Sequence, residues 1–459
     1  MKTMIPGPSY REMLNPVYFA RPANELDPLN LFGITWRGAN RQVRHIVVPK
    51  ELTGVRANII VLAGREFPSG SHKVGPAYAT LLEGELTGEV EPGASTVIGP
   101  STGNFGIGVA YVARLKGYPA VVIMPDGMSR ERYERIRQYG GRLDLTPGTE
   151  SDVILVLERT EEYKKDSKNK VLAQFELLPN YRFHRYVTGR SALEAAERHG
   201  NGRVAAFVSA PGSAGTLAAG DEIKARFADA VVCALEPKEC ATLFNNGRGT
   251  HRIEGIGDKM VTLIHNVLTT DYVQLIHDDD CVKGLELVQR QIPLLERLVG
   301  MVPGRLGGLR DIFGISGVCN LFGAIRLARH LNLGPDDNVV TIATDGFDRY
   351  GSVLADLEKR AGPIDEGMRS GWFEALFRSA SAPEILDVRP REQKERLFAY
   401  KEQVWTGFGY SRAYLDRMKS QSFWDAEYEQ IESIDRLLTS ALSSGPVCRT
   451  SSHPPARSF

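Results

Sequence analysis

Along the chain, short runs of apolar and β-branched residues alternate with stretches in which apolar positions recur at helical spacing. A run at 59–63 is followed by one at 95–98, a glycine-rich turn and a helical pattern over about 106–116. A strand at 120–124, a helix at about 129–139 and a strand at 142–145 come next. The alternation resumes with a strand at 204–208, a helix at about 216–227 and a strand at 230–235. It closes with a helix over 317–331 and a strand at 339–343. This order predicts an α/β protein with mostly parallel strands, whose crossovers are right-handed and whose ligands gather at the carboxyl ends of the strands.

Two regions break the rhythm. Residues 1–45 carry Pro6, Pro8, Pro16, Pro22 and Pro28 and are expected to wrap the body. Residues 361–440 combine charge with spaced aromatics, among them Phe398, Trp405, Tyr410, Tyr414 and Trp424. They predict helices packed onto the main body, with a lid or a subunit contact as the alternative. Residues 441–459, rich in Ser and Pro, are expected to be a disordered tail.

Composition narrows the partners. The chain, 459 residues long, exceeds an ordinary single domain. Its 56 basic residues are balanced by 56 acidic ones, which argues against nucleic acid or an anionic membrane as the main partner. No stretch reaches the roughly 20 apolar residues of a membrane span, and residues 1–10 lack an apolar signal core, so a cytoplasmic location is expected. Five cysteines (Cys233, Cys240, Cys281, Cys319 and Cys448) form no CxxC pair, which fits reduced, buried thiols. No metal site is expected.

Four loops at strand ends carry candidate chemistry. In Phe67-Pro68-Ser69-Gly70-Ser71-His72-Lys73, a partly desolvated lysine has a lowered pKa and can form a Schiff base; alone, it would read as a surface lysine. In Pro100-Ser101-Thr102-Gly103-Asn104-Phe105-Gly106, glycines free backbone N–H groups, and the Asn104 amide can donate to a phenolate; alone, it is a tight turn. Pro211-Gly212-Ser213-Ala214-Gly215-Thr216 fronts a helix, a natural phosphate seat that matches neither a Walker loop nor GxGxxG. Ala343-Thr344-Asp345-Gly346 offers a hydroxyl or carboxylate to a pyridine nitrogen, or is a helix cap. In this order the loops supply an aldehyde-binding amine, a phenolate donor, a phosphate cradle and a ring-nitrogen partner. Pyridoxal 5′-phosphate (PLP) needs all four.

These loops resemble those of the cysteine synthase and cystathionine β-synthase family, the tryptophan synthase β-like, fold-type II PLP enzymes. Phe67–Lys73 resembles its Asn-Pro-x-Gly-Ser-x-Lys stretch, and Ser101–Gly106 its Thr-Ser-Gly-Asn-Thr-Gly loop. Gln174-Phe175, Thr188-Gly189, Gly255-Ile256-Gly257 and Gly314-Ile315-Ser316-Gly317 are similar to further family stretches, in the right order over about residues 28–352. The resemblance implies two three-layer α/β/α domains with mostly parallel sheets, plus a helical C-terminal extension. Residues 46–95 with 190–360 would form the larger, PLP-binding domain, and 96–189 a smaller domain that closes over the substrate. It implies that Lys73 forms the internal aldimine and moves the α-proton, and that Asn104 holds the PLP 3′-oxygen. Gly212, Ser213, Ala214, Gly215 and Thr216 would bind the phosphate, and Thr344 or Asp345 would meet the ring nitrogen. Ser101, Thr102 and Gln174 would grip the substrate carboxylate, with Gly103, Phe105 and Gly255 also in the substrate site.

There are departures. Phe105 stands where the family has threonine, predicting a differently shaped pocket, and Val74-Gly75 replaces Asp-Arg. Asp258 and Lys259 follow Gly-Ile-Gly where the synthases carry smaller or apolar groups, either as a structural salt bridge or as contacts to a polar side chain of an unusual substrate. Gly346-Phe347-Asp348-Arg349-Tyr350 is one residue longer than the family's Gly-Glu-Arg-Tyr, which leaves Thr344, the favoured choice, and Asp345 both open.

The expected activity is work at the β-carbon of a serine- or cysteine-type amino acid through an aminoacrylate. The leading reading is β-replacement by a thiol or other small nucleophile. A β-eliminating lyase releasing pyruvate and ammonia is the second reading, and a non-catalytic scaffold the third. The family suggests a homodimer.

Overall fold

The protein is described by a computed structural model over residues 4–18, 22–101, 103–379 and 384–444. Among the described residues, eleven strands form two sheets: β1 (His45–Val48), β2 (Asn58–Ala63), β3 (Thr96–Pro100), β4 (Ala120–Pro125), β5 (Arg142–Thr146), β6 (Asn169–Val171), β7 (Val204–Ser209), β8 (Val231–Pro237), β9 (Tyr272–Ile276), β10 (Asn338–Ala343) and β11 (Ile385–Asp387).

The larger sheet runs β1-β2-β10-β7-β8-β9-β11 and the smaller β5-β4-β3-β6. The smaller sheet is parallel throughout, and the larger is parallel from β2 to β9 with an antiparallel strand at each edge. Central strands such as β10 (Asn-Val-Val-Thr-Ile-Ala) are buried along their whole length, because helices cover both faces of a parallel sheet. The helix Ile315–His330 packs against the larger sheet, and the helices Val74–Leu86 and Asn104–Lys116 pack on each other. The α/β class with mostly parallel strands is therefore as expected. Strands β1, β6, β9 and β11 were not anticipated; three of them are edge strands and two have only three residues. The helix expected at 216–227 opens as a 3-10 turn, Gly215–Leu217, and continues as Ala218–Arg226.

The N-terminal segment sends Tyr10, Met13, Leu31 and Trp36 into the core. Its short helix Tyr10–Leu14 is held by a capping box between Ser9 and Glu12. At the other end, helices Arg391–Trp405, Arg412–Arg417 and Gln421–Ser444 lie against the body. Trp405, Leu415, Met418 and Trp424 share an apolar cluster with Tyr181, Leu263 and Ile264. The last helix includes the first residues of the expected tail, and 445–459 lie outside the described residues. Among the described residues, no helix is long and apolar enough to cross a membrane. Cys233, Cys240, Cys281 and Cys319 are buried and free, and Cys448 lies outside the described residues.

Candidate active site

Strands β2, β7 and β10 are neighbours in the larger sheet, so the loops leaving their carboxyl ends converge. After β2 the chain makes two 3-10 turns and reaches Lys73, which immediately precedes the helix Val74–Leu86. Backbone pairing of Ser71 with Asp345, and donation from His72 N–H to Thr344 C=O (3.3 Å), tie this loop to the one after β10.

Lys73 is 9 % exposed. Its Nζ donates to Ser213 Oγ at 3.3 Å and to Gln174 Oε1 at 3.5 Å. Burial pulls its pKa down to about 8, against the opposing pull of the Asp258 and Glu150 carboxyls. The neutral, nucleophilic fraction of the amine near physiological pH is therefore far larger than for an ordinary lysine.

The loop Pro211–Thr216 has no room for larger residues. A Cβ on Gly212 would come 2.5 Å from Gly255 O, and one on Gly215 would come 2.2 Å from Asn180 Oδ1. Ala214 takes the left-handed conformation at φ 63°, which turns successive backbone N–H groups to one side. Asn180 donates to Ser213 Oγ at 2.9 Å and to Gln174 C=O at 2.8 Å. Thr262 Oγ donates to Ser213 C=O at 2.9 Å, and the Thr216 and Ser209 hydroxyls pair at 2.8 Å.

From the smaller sheet, Ser101 and Asn104 follow β3. Ser101 Oγ accepts from Gly103 N–H (3.0 Å) and Gly106 N–H (2.8 Å), shaping the start of the helix Asn104–Lys116. Asn104 Nδ2 donates to Asp345 Oδ2 at 2.6 Å, and its Oδ1 accepts from Arg349. One hydrogen of the Asn104 amide is left for another acceptor. Asp345, fully buried, also accepts from Tyr350 OH at 2.8 Å, while its Oδ1 has no hydrogen-bond partner among the described residues. Burial raises the Asp345 pKa against the pull of Arg349 and Arg132. Thr344 is half-buried and enters this network through its carbonyl. Phe105 is buried in the main apolar core. Thr102 lies outside the described residues.

The structure thus brings together Lys73, Gln174 and Ser213, and separately joins Asn104 to Asp345. It adds Asn180, which no loop pattern had marked, and gives Arg349 and Tyr350 of the Gly346–Tyr350 stretch a place in the network. The donor set suits PLP: a buried amine of lowered pKa, a cradle that side chains would fill, and a buried carboxyl with an unpartnered oxygen.

Comparisons agree with this chemistry. A family described as pyridoxal-phosphate dependent enzyme matches residues 52–298. A cysteine synthase of Staphylococcus aureus (strain Mu50 / ATCC 700699) is 30% identical over 295 residues, covering 64% of this chain and 87% of that protein. The crystal structure of a hydrogen sulfide-producing enzyme from Fusobacterium nucleatum is similar at 25% identity and a TM-score of 0.57, covering 67% of this chain and 95% of that one. That of O-acetyl serine sulfhydrylase isoform 3 from Entamoeba histolytica, 24% identical, shares the fold at a TM-score of 0.63, covering 79% of this chain and 100% of that one. This chain belongs to the family of pyridoxal-phosphate-dependent enzymes.

Proposed function

We propose that the protein catalyses β-replacement on a serine-type amino acid, in the manner of the cysteine synthases it is similar to, with a thiol or other small nucleophile as the incoming group. The observation that carries this reading is Lys73 Nζ, a buried amine of lowered pKa set between Ser213 of the glycine-lined loop and Gln174. When bound, PLP supplies an electron-withdrawing ring that makes the α-proton of a linked amino acid labile and lets a β-substituent depart.

The chain's residues divide the remaining work. Lys73 holds the cofactor aldehyde and, once released, moves the proton at the α-carbon. Backbone N–H groups of Gly212–Thr216 and the Ser213 hydroxyl bind the phosphate. The free hydrogen of the Asn104 amide binds the ring's 3′-oxygen, and Asp345 meets the ring nitrogen, its own position set by Asn104 and Tyr350. Gln174 and the turn held by Ser101 orient the substrate carboxylate. Closure of residues 96–189 over the larger domain excludes water. We further assign the protein to the cytoplasm as a homodimer; four buried free thiols suit a reducing compartment.

The test is an absorption spectrum of the purified protein, recorded before and after L-serine, O-acetyl-L-serine and L-cysteine. A visible band that is lost in Lys73→Ala is expected. A red-shifted band that persists until a thiol is added supports replacement, and its unaided decay to pyruvate assigns the lyase reaction instead. A colourless protein that takes up no added PLP overturns the assignment.

A further inference from the structure

Asp258 follows Gly255-Ile256-Gly257, a loop laid against the phosphate cradle. Gly257 N–H donates to Pro211 C=O at 3.0 Å, Thr242 Oγ donates to the Asp258 carbonyl at 3.1 Å, and Gly212 has no room for a Cβ beneath Gly255. The main chain therefore fixes where the Asp258 side chain sits. The carboxyl is 5 % exposed, and neither of its oxygens has a hydrogen-bond partner among the described residues. Its neighbour behaves differently: Lys259 pairs with Asp152 at 2.6 Å. Of the two charges that follow Gly-Ile-Gly, only the lysine is spent on a structural salt bridge.

Two ionisable groups act on Asp258. Burial above all pushes its pKa well up; Glu150, also buried and on the loop after β5, adds to that, and only Lys73 pulls it down. Lys73 is the cation that offsets these acids, but under the proposed function it is committed to the cofactor. A buried carboxyl without donors is strongly unfavourable, and buried charges are retained where a counter-charge meets them. A hydroxyl donates one hydrogen bond and would leave the carboxyl neutral, whereas an ammonium donates three and brings the counter-charge that stabilises the ionised form.

We propose that Asp258, seconded by Glu150, is the specificity-determining residue for the β-substituent, selecting one that carries a protonated nitrogen. This rests on the proposed β-replacement and names its nucleophile as nitrogen: ammonia or an amine adds in place of a thiol, so the amino acid produced bears an ammonium group at its β-position. The acids act by binding, and no additional covalent step is required of them.

Three near-isosteric amino acids test it: L-2,3-diaminopropionate, L-2-aminobutyrate and L-serine, which place an ammonium, a methyl and a hydroxyl at one position. Dissociation constants are read from the shift in cofactor absorbance on rapid mixing with the holoenzyme, before turnover. L-2,3-Diaminopropionate should bind at least tenfold more tightly than the other two, and Asp258→Asn should bring the ratios to within about twofold. Glu150→Gln, expected to reduce the preference severalfold, supplies the same comparison if Asp258→Asn does not retain cofactor. Equal affinities in the wild type, or a preference that survives in Asp258→Asn, would overturn the inference and leave the proposed function standing. The absence of any cofactor band or shift would overturn both.

Discussion

At Lys73, burial and charge oppose one another. Desolvation disfavours the ammonium, Asp258 and Glu150 favour it, and the outcome is a pKa of about 8. The rate at which apoprotein captures PLP should therefore rise with pH through about 8 and then level off, as stopped-flow absorbance would record. The same shift has a stability consequence. Between about 8 and the ordinary lysine value of 10.5 the unfolded chain holds a proton that the folded chain has released, so this group makes the apoprotein more stable as pH rises through that window. Lys73→Met should remove that part of the slope in denaturation curves. Asp345→Asn should keep the fold but lower turnover by about tenfold to a hundredfold, the scale of a lost hydrogen bond to a charged group, with a changed cofactor spectrum. The loops that hold Lys73, Asn104, Ser213 and Asp345 were legible because glycines and short polar residues punctuate strand ends. Asn180 was not, since it sits inside the short helix Pro179–Phe183 and only its reach to Ser213 reveals it. Nor could local pattern separate Asp258 from Lys259, because the lysine's partner lies 107 residues away.

Among elements, the C-terminal helices were legible from their spaced aromatics, but their docking place was not, because it depends on a loop with little periodicity of its own. Trp405 Nε1 donates to Val261 C=O at 2.9 Å, and Lys401 Nζ donates to the carbonyls of Leu263 and His265. Thr262, within the same loop, holds Ser213. The extension thus buttresses the Pro211–Thr216 loop through residues 261–265. Trp405→Ala should weaken cofactor retention, measured as PLP lost on dialysis, and Thr262→Val should do the same without exposing apolar surface. Trp424→Ala, which empties a fully buried site, should cost about 3–5 kcal/mol in chemical denaturation. The edge strands β6 and β11 escaped prediction for a simple reason: three-residue strands take their conformation from the neighbour they pair with.

For the whole molecule, the alternation of strands and helices foretold parallel sheets but not their order. β10 enters the larger sheet between β2 and β7, pairing Asn338 with Asn58 and with Val204 across long stretches of sequence. Such pairings follow from how crossovers pack. Both sheets contribute to the proposed site: Lys73, Ser213 and Asp345 follow strands of the larger, and Asn104 and Glu150 follow strands of the smaller. If the smaller region closes on substrate, amide exchange at 103–106 and 148–152 should slow when O-acetyl-L-serine is added, with little change in the larger sheet. Sedimentation should give twice the 50.6 kDa of one chain.

The backbone N–H of Tyr10 donates to Asp435 at 2.8 Å, joining residues 425 positions apart, and Arg11 N–H donates to the same carboxylate. During synthesis the first helix therefore waits for nearly the whole polypeptide to leave the ribosome before its partner exists. Until then Tyr10 and Met13 have only part of their final surroundings. A stop codon ahead of the helix Gln421–Ser444 would leave the loops of the proposed site fully translated but the segment around Tyr10 unlatched, so a nascent chain lacks this clasp until Asp435 has emerged.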